Sequence, residues 1–149
     1  MIKANTMHAV IAFWLFAFSV AAFAQQPATV GDLLDRGGKK LTKDELTTVL
    51  TGATVKGTVP SNPGRQSEMT YNKDGTATGR SSGGSGVGSA YGLFGTWLIN
   101  DQGQLCNRLR NMWEDRSPPC MFYFMLGDTY YATTSDDKSA PVFIREIKH

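Results

Sequence analysis

The sequence predicts a mostly β protein: a small antiparallel up-and-down barrel or strongly curved sheet of about eight strands, with one N-terminal α-helix. Three observations lead there. Short runs rich in Val, Ile, Thr, Phe, Tyr and Trp recur between residues 53 and 148, each bounded by turn residues. Consecutive runs are joined by short loops of Gly, Asn and Asp, which makes them sequential hairpins. Beyond residue 24, helical spacing is pronounced in one stretch alone, near residue 42.

The chain opens on "MIKANTMHAVIAFWLFAFSVAAFAQQ". Lys3 is its one charge, a run of about 16 mostly apolar residues follows, and Ala22-Phe23-Ala24 precedes Gln25, the pattern of a secretory signal with its cleavage site. The run is short for a membrane span. No cysteine lies near the cut, which argues against a lipid anchor. Residues 1–24 are therefore expected to be a signal peptide, and the protein periplasmic or secreted. An uncleaved N-terminal anchor is the competing reading. A polar segment is expected over 25–40 and a single β-rich domain over 41–149. Removing Lys3 from the 15 basic side chains leaves a net charge of +1 against 13 acidic ones. Such a balance points neither to nucleic acid nor to a membrane surface after cleavage.

The helix is expected over 42–51, in "LTKDELTTVLTG". Thr42 and Glu45 have the spacing of a capping box, with Leu41 and Leu46 as the flanking staple. Leu46, Val49 and Leu50 share one face, and Gly52 supplies the stop. Strand patterns follow in "ATVKGTV" (53–59), "SEMTYN" (67–72) and "GTATGR" (75–80). Next come "LFGTWLI" (93–99), "QLCNRL" (104–109), "CMFYFML" (120–126), "TYYATT" (129–134) and "PVFIREIK" (141–148). A series of hairpins must close up or stack to remove its edges, and the helix is expected at one end or across one face.

Cys106 and Cys120 are the two cysteines. In an exported chain they are expected to form a disulfide, closing a loop that stabilises the fold by about 3 kcal/mol. A metal site would need more ligands than the pair offers, and no cofactor is expected. A catalytic thiol would want a histidine. The chain has two, His8 in the signal segment and His149 at the end. Histidine-based triads and histidine-ligated metals therefore lose their residues, leaving carboxylates, lysine and tyrosine for acid–base work. A non-enzymatic protein is expected.

Two segments invite a functional reading. "SSGGSGVGSAYG" (81–92) lacks the Lys-Ser/Thr of a phosphate loop, and no helix pattern follows its glycines. It reads as a flexible hairpin loop or as a flap over a barrel mouth. "CNRLRNMWEDRSPPC" carries Arg108, Arg110, Arg116 and Trp113. The arginines suit a carboxylate or phosphate, and Trp113 a planar or sugar ligand. A solvated strand with Trp113 in the core is the plainer account. Adjacent Glu114 and Asp115 would face opposite sides of a strand and make a poor acid–base pair. Tyr71, Tyr91, Tyr123, Tyr130 and Tyr131 line a cavity or simply pack.

The order of a signal segment, "LTKDEL", "MTYNKDGTATG", "GTWLINDQGQLC", a later cysteine and "DTYY" resembles a family of small exported proteobacterial proteins catalogued as domain of unknown function 995. Its members carry a Leu-Thr-x-x-Glu-Leu helix, an aromatic-x-x-Asp-Gly hairpin, a Gly-x-Trp strand and a Gly-x-Leu-Cys strand. These fall here on Leu41–Leu46, Tyr71–Gly75, Gly95–Trp97, Gly103–Cys106 and, for the later cysteine, Cys120. The chain departs from the pattern in its close, "PVFIREIKH", which lacks an aromatic-rich end, and in its Gly-rich loop. The resemblance implies no known activity. Gly-Thr-Trp is also similar to the start of lipocalin barrels, but here it falls in mid-chain.

The expected function is an exported small binding protein for a small anionic ligand. The alternative is an inhibitor or interaction protein acting on an envelope or host enzyme through an exposed loop. A hydrolase without histidine stands third. Trp97 lies mid-strand and is expected in the core. Trp97→Ala should destabilise the fold by about 3–5 kcal/mol, read by denaturant unfolding. A variant melting like the wild type would place Trp97 at the surface.

Overall fold

The computed structural model describes residues 25–83, 91–110 and 119–149. The segment read as a signal, residues 1–24, lies outside them. Two helices are described where the sequence predicted one. The predicted helix forms as α2, Lys43–Leu50, with Thr42 as its N-cap. Thr42 Oγ1 accepts from the Glu45 N–H, and the Glu45 carboxylate accepts from the Thr42 N–H, so two otherwise orphaned donors are met. Leu46 and Leu50 are buried in the same cluster as Leu41, and Gly52 follows at φ 79°. The second helix, α1, spans Val30–Asp35 and repeats the device with Thr29 and Asp32.

Nine strands form one antiparallel sheet. They are β1 (Lys39–Lys40), β2 (Thr54–Val59), β3 (Asn62–Tyr71), β4 (Thr76–Gly83), β5 (Tyr91–Ile99), β6 (Leu105–Leu109), β7 (Phe122–Leu126), β8 (Thr129–Thr133) and β9 (Phe143–Lys148). The spatial order is β1-β7-β8-β9-β2-β3-β4-β5-β6. Apart from the two-residue β1, which the sequence did not predict, each strand neighbours its sequence neighbours, and β9 returns to β2. The meander is thus up-and-down, curled into a half-barrel. The break falls between β6 and β7. There Leu105 and Met121 exchange two backbone hydrogen bonds of 2.9 Å in an isolated bridge, and the adjacent Cys106 and Cys120 are joined as a disulfide. The expected pairing of the two cysteines is therefore present.

One end of the curl is covered by α2. Lys43 Nζ lies 2.8 Å from Asp101 in the β5–β6 turn, and the Gly52 N–H donates to the Tyr71 carbonyl at the end of β3. The main core fills the concave face with Leu46, Leu50, Val55, Met69, Tyr71, Leu105, Tyr123 and their neighbours. Trp97 packs against this core but keeps part of its surface exposed. Its ring N–H donates to the Asn72 carbonyl at 2.9 Å, and it meets Tyr71 edge-on at 5.4 Å. A second core lies behind β7 and β8, where Val30 and Leu33 of α1 cover Phe122, Phe124 and Tyr131. Those two strands are buried on both faces, which explains why "FYFML" reads as a continuous apolar run rather than an alternation.

Inward glycines let the sheet curl. A Cβ at Gly95 would stand 1.9 Å from the Arg108 carbonyl oxygen, so no larger residue permits β5 and β6 to approach as they do.

The cap of α2 carries a pH dependence. The hydrogen bond from Lys39, with that from the Thr42 N–H, holds the Glu45 carboxyl at about 2, below its usual 4.5. A carboxylate lowered by folding stabilises the native state above its unfolded value and loses that contribution as pH falls through the folded one. Unfolding of wild type and Glu45→Gln should therefore differ most at neutral pH. The gap should close as pH drops from about 4.5 to about 2. A gap independent of pH would overturn this.

Candidate functional site

A cavity of about 320 Å³ opens among the inner faces of β2 to β6. Strand alternation puts it there: 65, 67 and 69 of β3 project to one side, as do 107 and 109 of β6. Val59, Met69, Leu93 and Leu109 make its apolar wall, and Ser67, Ser81 and Asn107 supply polar groups. Ser61, Asn62 and Arg65 lie toward the β2–β3 turn, at the end of the sheet away from α2. The serines are occupied by the backbone: Ser81 Oγ donates to the Gln66 carbonyl at 3.2 Å and Ser67 Oγ to the Gly57 carbonyl at 3.4 Å. Asn107 is different. Its Nδ2 donates to the Tyr71 hydroxyl at 3.3 Å, but its Oδ1 is buried with no partner among the described residues. Such an acceptor costs stability unless something donates to it.

Behind this wall lies a buried arginine. Arg145 of β9 is 5 % exposed, on the same strand face as Ile147, which packs into the main core. Its Nη1 donates to the carbonyls of Thr58, at 2.9 Å, and Ile144, at 3.2 Å, and its Nη2 lies 3.8 Å from the Met121 sulfur. Gly57 makes room for it: a Cβ there would stand 2.2 Å from Nη1. Tyr123 lies beside the guanidinium. Burial raises the Tyr123 hydroxyl above its usual value, against the opposing pull of Arg145. Burial likewise raises Tyr71, and Tyr123 adds to the effect. Both hydroxyls are therefore neutral donors across the physiological range.

The residues singled out in the sequence fall elsewhere. Arg108 and Arg110 are exposed, and neither lines the cavity, although Asn107 and Leu109 beside them do. Arg108 stands opposite Thr96 on the outer face of the sheet, between Phe94 and Leu98, which are 58 % and 45 % exposed. Trp113 and Arg116 lie outside the described residues, as do 84–90 of the Gly-rich run. Of the five tyrosines, Tyr71 and Tyr123 point into the interior beside the cavity. Sequence reasoning missed Arg145 and Asn107. For Arg145 a signal existed: in Phe143-Ile144-Arg145-Glu146-Ile147, period two sets Arg145 on the face of Phe143 and Ile147.

No protein-family profile matches the chain, and no curated protein matches it significantly. The resemblance to the small exported family thus rests on the short motifs alone. Among the described residues no helix is long and apolar enough to cross a membrane.

Asn107→Leu removes the unpartnered acceptor together with one donor to Tyr71. The two effects oppose each other, so the variant should unfold within about 1 kcal/mol of wild type. A loss well beyond that in thermal or urea unfolding would show that Asn107 Oδ1 is satisfied in solution by a group that stabilises the fold.

Proposed function

We propose that the protein is an exported, non-enzymatic binder of a small organic molecule held within the curl of its sheet. The observation that carries this reading is the 320 Å³ cavity whose wall joins apolar side chains to the unpartnered Asn107 Oδ1. Binding sites for small molecules have this composition: mostly apolar, with few oriented polar groups. An occupant with a hydroxyl or N–H would satisfy Asn107. The residues lining the cavity include no carboxylate, the group a hydrolase without histidine would need in pairs. Export, to the periplasm or beyond, is supported by the N-terminal apolar segment and by the formed disulfide.

A neutral fluorescent naphthylamine, N-phenyl-1-naphthylamine, tests the reading. It should bind saturably, and Ser67→Phe, which fills the cavity, should weaken it by about tenfold or more. The absence of saturable binding to a folded wild type overturns the proposal. A second reading, an interaction protein, is favoured by the exposed Phe94 and Leu98 flanking Arg108 on the outer face. Aromatic and arginine side chains dominate many protein interfaces. A protein partner retained by Ser67→Phe and lost by Phe94→Asp would decide for that reading.

A further inference from the structure

The inference drawn here rests on the cavity being a ligand site and concerns what that ligand is. It begins from Arg145. A guanidinium does not give up its proton, so Arg145 carries its charge into the interior. Its contacts are backbone carbonyls, a thioether and the Tyr123 hydroxyl, all of them neutral. The ion-paired carboxylates of the described residues lie at the surface with lysines or with Arg80, and none pairs with Arg145. Neutral acceptors satisfy a donor's geometry but leave the charge uncompensated, and a buried charge without a counter-charge is costly. An apolar residue of similar length would fill the same space without that cost.

The position of the guanidinium relative to the cavity is also informative. The pairing of β2 with β3 slips between Thr58 and Val59. On one side of the slip the Thr58 carbonyl accepts from Arg145, and on the other Val59 forms part of the cavity wall. Arg145 therefore stands one residue behind that wall. Tyr123 and Tyr71 continue the polar floor from Arg145 to Asn107, which is in the wall itself.

We propose that the cavity receives an amphiphilic carboxylate, its apolar body against Val59, Met69, Leu93 and Leu109 and its charged group directed to Arg145 and the hydroxyl of Tyr123. A carboxylate is the anion whose planar pair of oxygens matches the guanidinium fork. The apolar wall excludes a ligand that is charged throughout. The site is distinct from Arg108 and Arg110, which face solvent.

Decanoate and 1-decanol, which share a chain and differ in charge, test this by titration calorimetry on the full mature protein. Wild type should bind decanoate at least about tenfold tighter than decanol, the worth of one charge-assisted hydrogen bond. Arg145→Met should bring decanoate down to the affinity of decanol and leave decanol unchanged, which a merely structural arginine would not do. Tyr123→Phe should weaken decanoate by a smaller factor, again sparing decanol, and serves if Arg145→Met does not fold. Equal affinities in wild type, or a preference for decanoate that survives both substitutions, overturn the inference while leaving the cavity a ligand site. Binding of neither compound also overturns it. If the neutral naphthylamine then fails as well, the cavity reading falls with it.

Discussion

An antiparallel sheet that curls must do something with its two edges, and this molecule meets that constraint at one place. Between β6 and β7 the ladder shrinks to the Leu105–Met121 bridge. The Cys106–Cys120 bond lies directly beside it and holds the two strands together covalently. Toward α2, the edge of β7 is taken up by β1, with Lys39 and Lys40 opposite Met125 and Phe124, and by the Leu41 N–H donating to the Tyr123 carbonyl. A free edge is a template for unwanted pairing. Here it is covered by three short devices rather than by one long strand.

That arrangement divides the interior. At the α2 end, Leu46 and Leu50 press onto Tyr71, Leu105 and Tyr123, and the space is filled. Away from it, the inward positions of β2 to β5 are small or flexible: Gly57, Ser67, Ser81, Gly95 and Met69. The same choice of residues that lets the strands bend also leaves volume unfilled. Curvature and cavity therefore have a common origin in side-chain size, and the buried polar groups lie near the boundary between the packed and the open halves.

How much of this was legible in the sequence depended on range. The Thr42–Glu45 capping box and the turns at Asp74-Gly75, Asn100–Gly103 and Gly127-Asp128 depend on a few adjacent residues, and they appear as read. The disulfide was inferred from compartment chemistry rather than geometry, and it is present. α1 was overlooked although Thr29 and Asp32 obey the same capping rule, because "VGDLLD" is barely more than a turn and owes its burial to β7 and β8. β1 is two lysines, whose extension is imposed by Met125 and Phe124 and by nothing local. β3 begins at Asn62, several residues before the apparent strand, and tolerates Pro63 because it sits at the strand's start. The site was the least legible part. Arginines at Arg108 and Arg110 drew attention by density, whereas Arg145 matters by its neighbours at two-residue spacing. The cavity itself is assembled from four strands that no local pattern brings together.

The pairing of β9 with β2 sets an order on how the chain can assemble. The hairpins from β2 to β6 and from β7 to β8 join residues close in sequence, and such contacts form early. Thr54 meets Lys148 and Gly57 meets Arg145 across nearly the whole described chain. Closing that distance carries the largest loop entropy in the fold and cannot happen before the last residues exist. Until then β2 offers a bare flank and the concave face stands open to water. The final strand to arrive is also the one that carries the interior cation, so the molecule takes its charge inside in the same step that makes the sheet continuous.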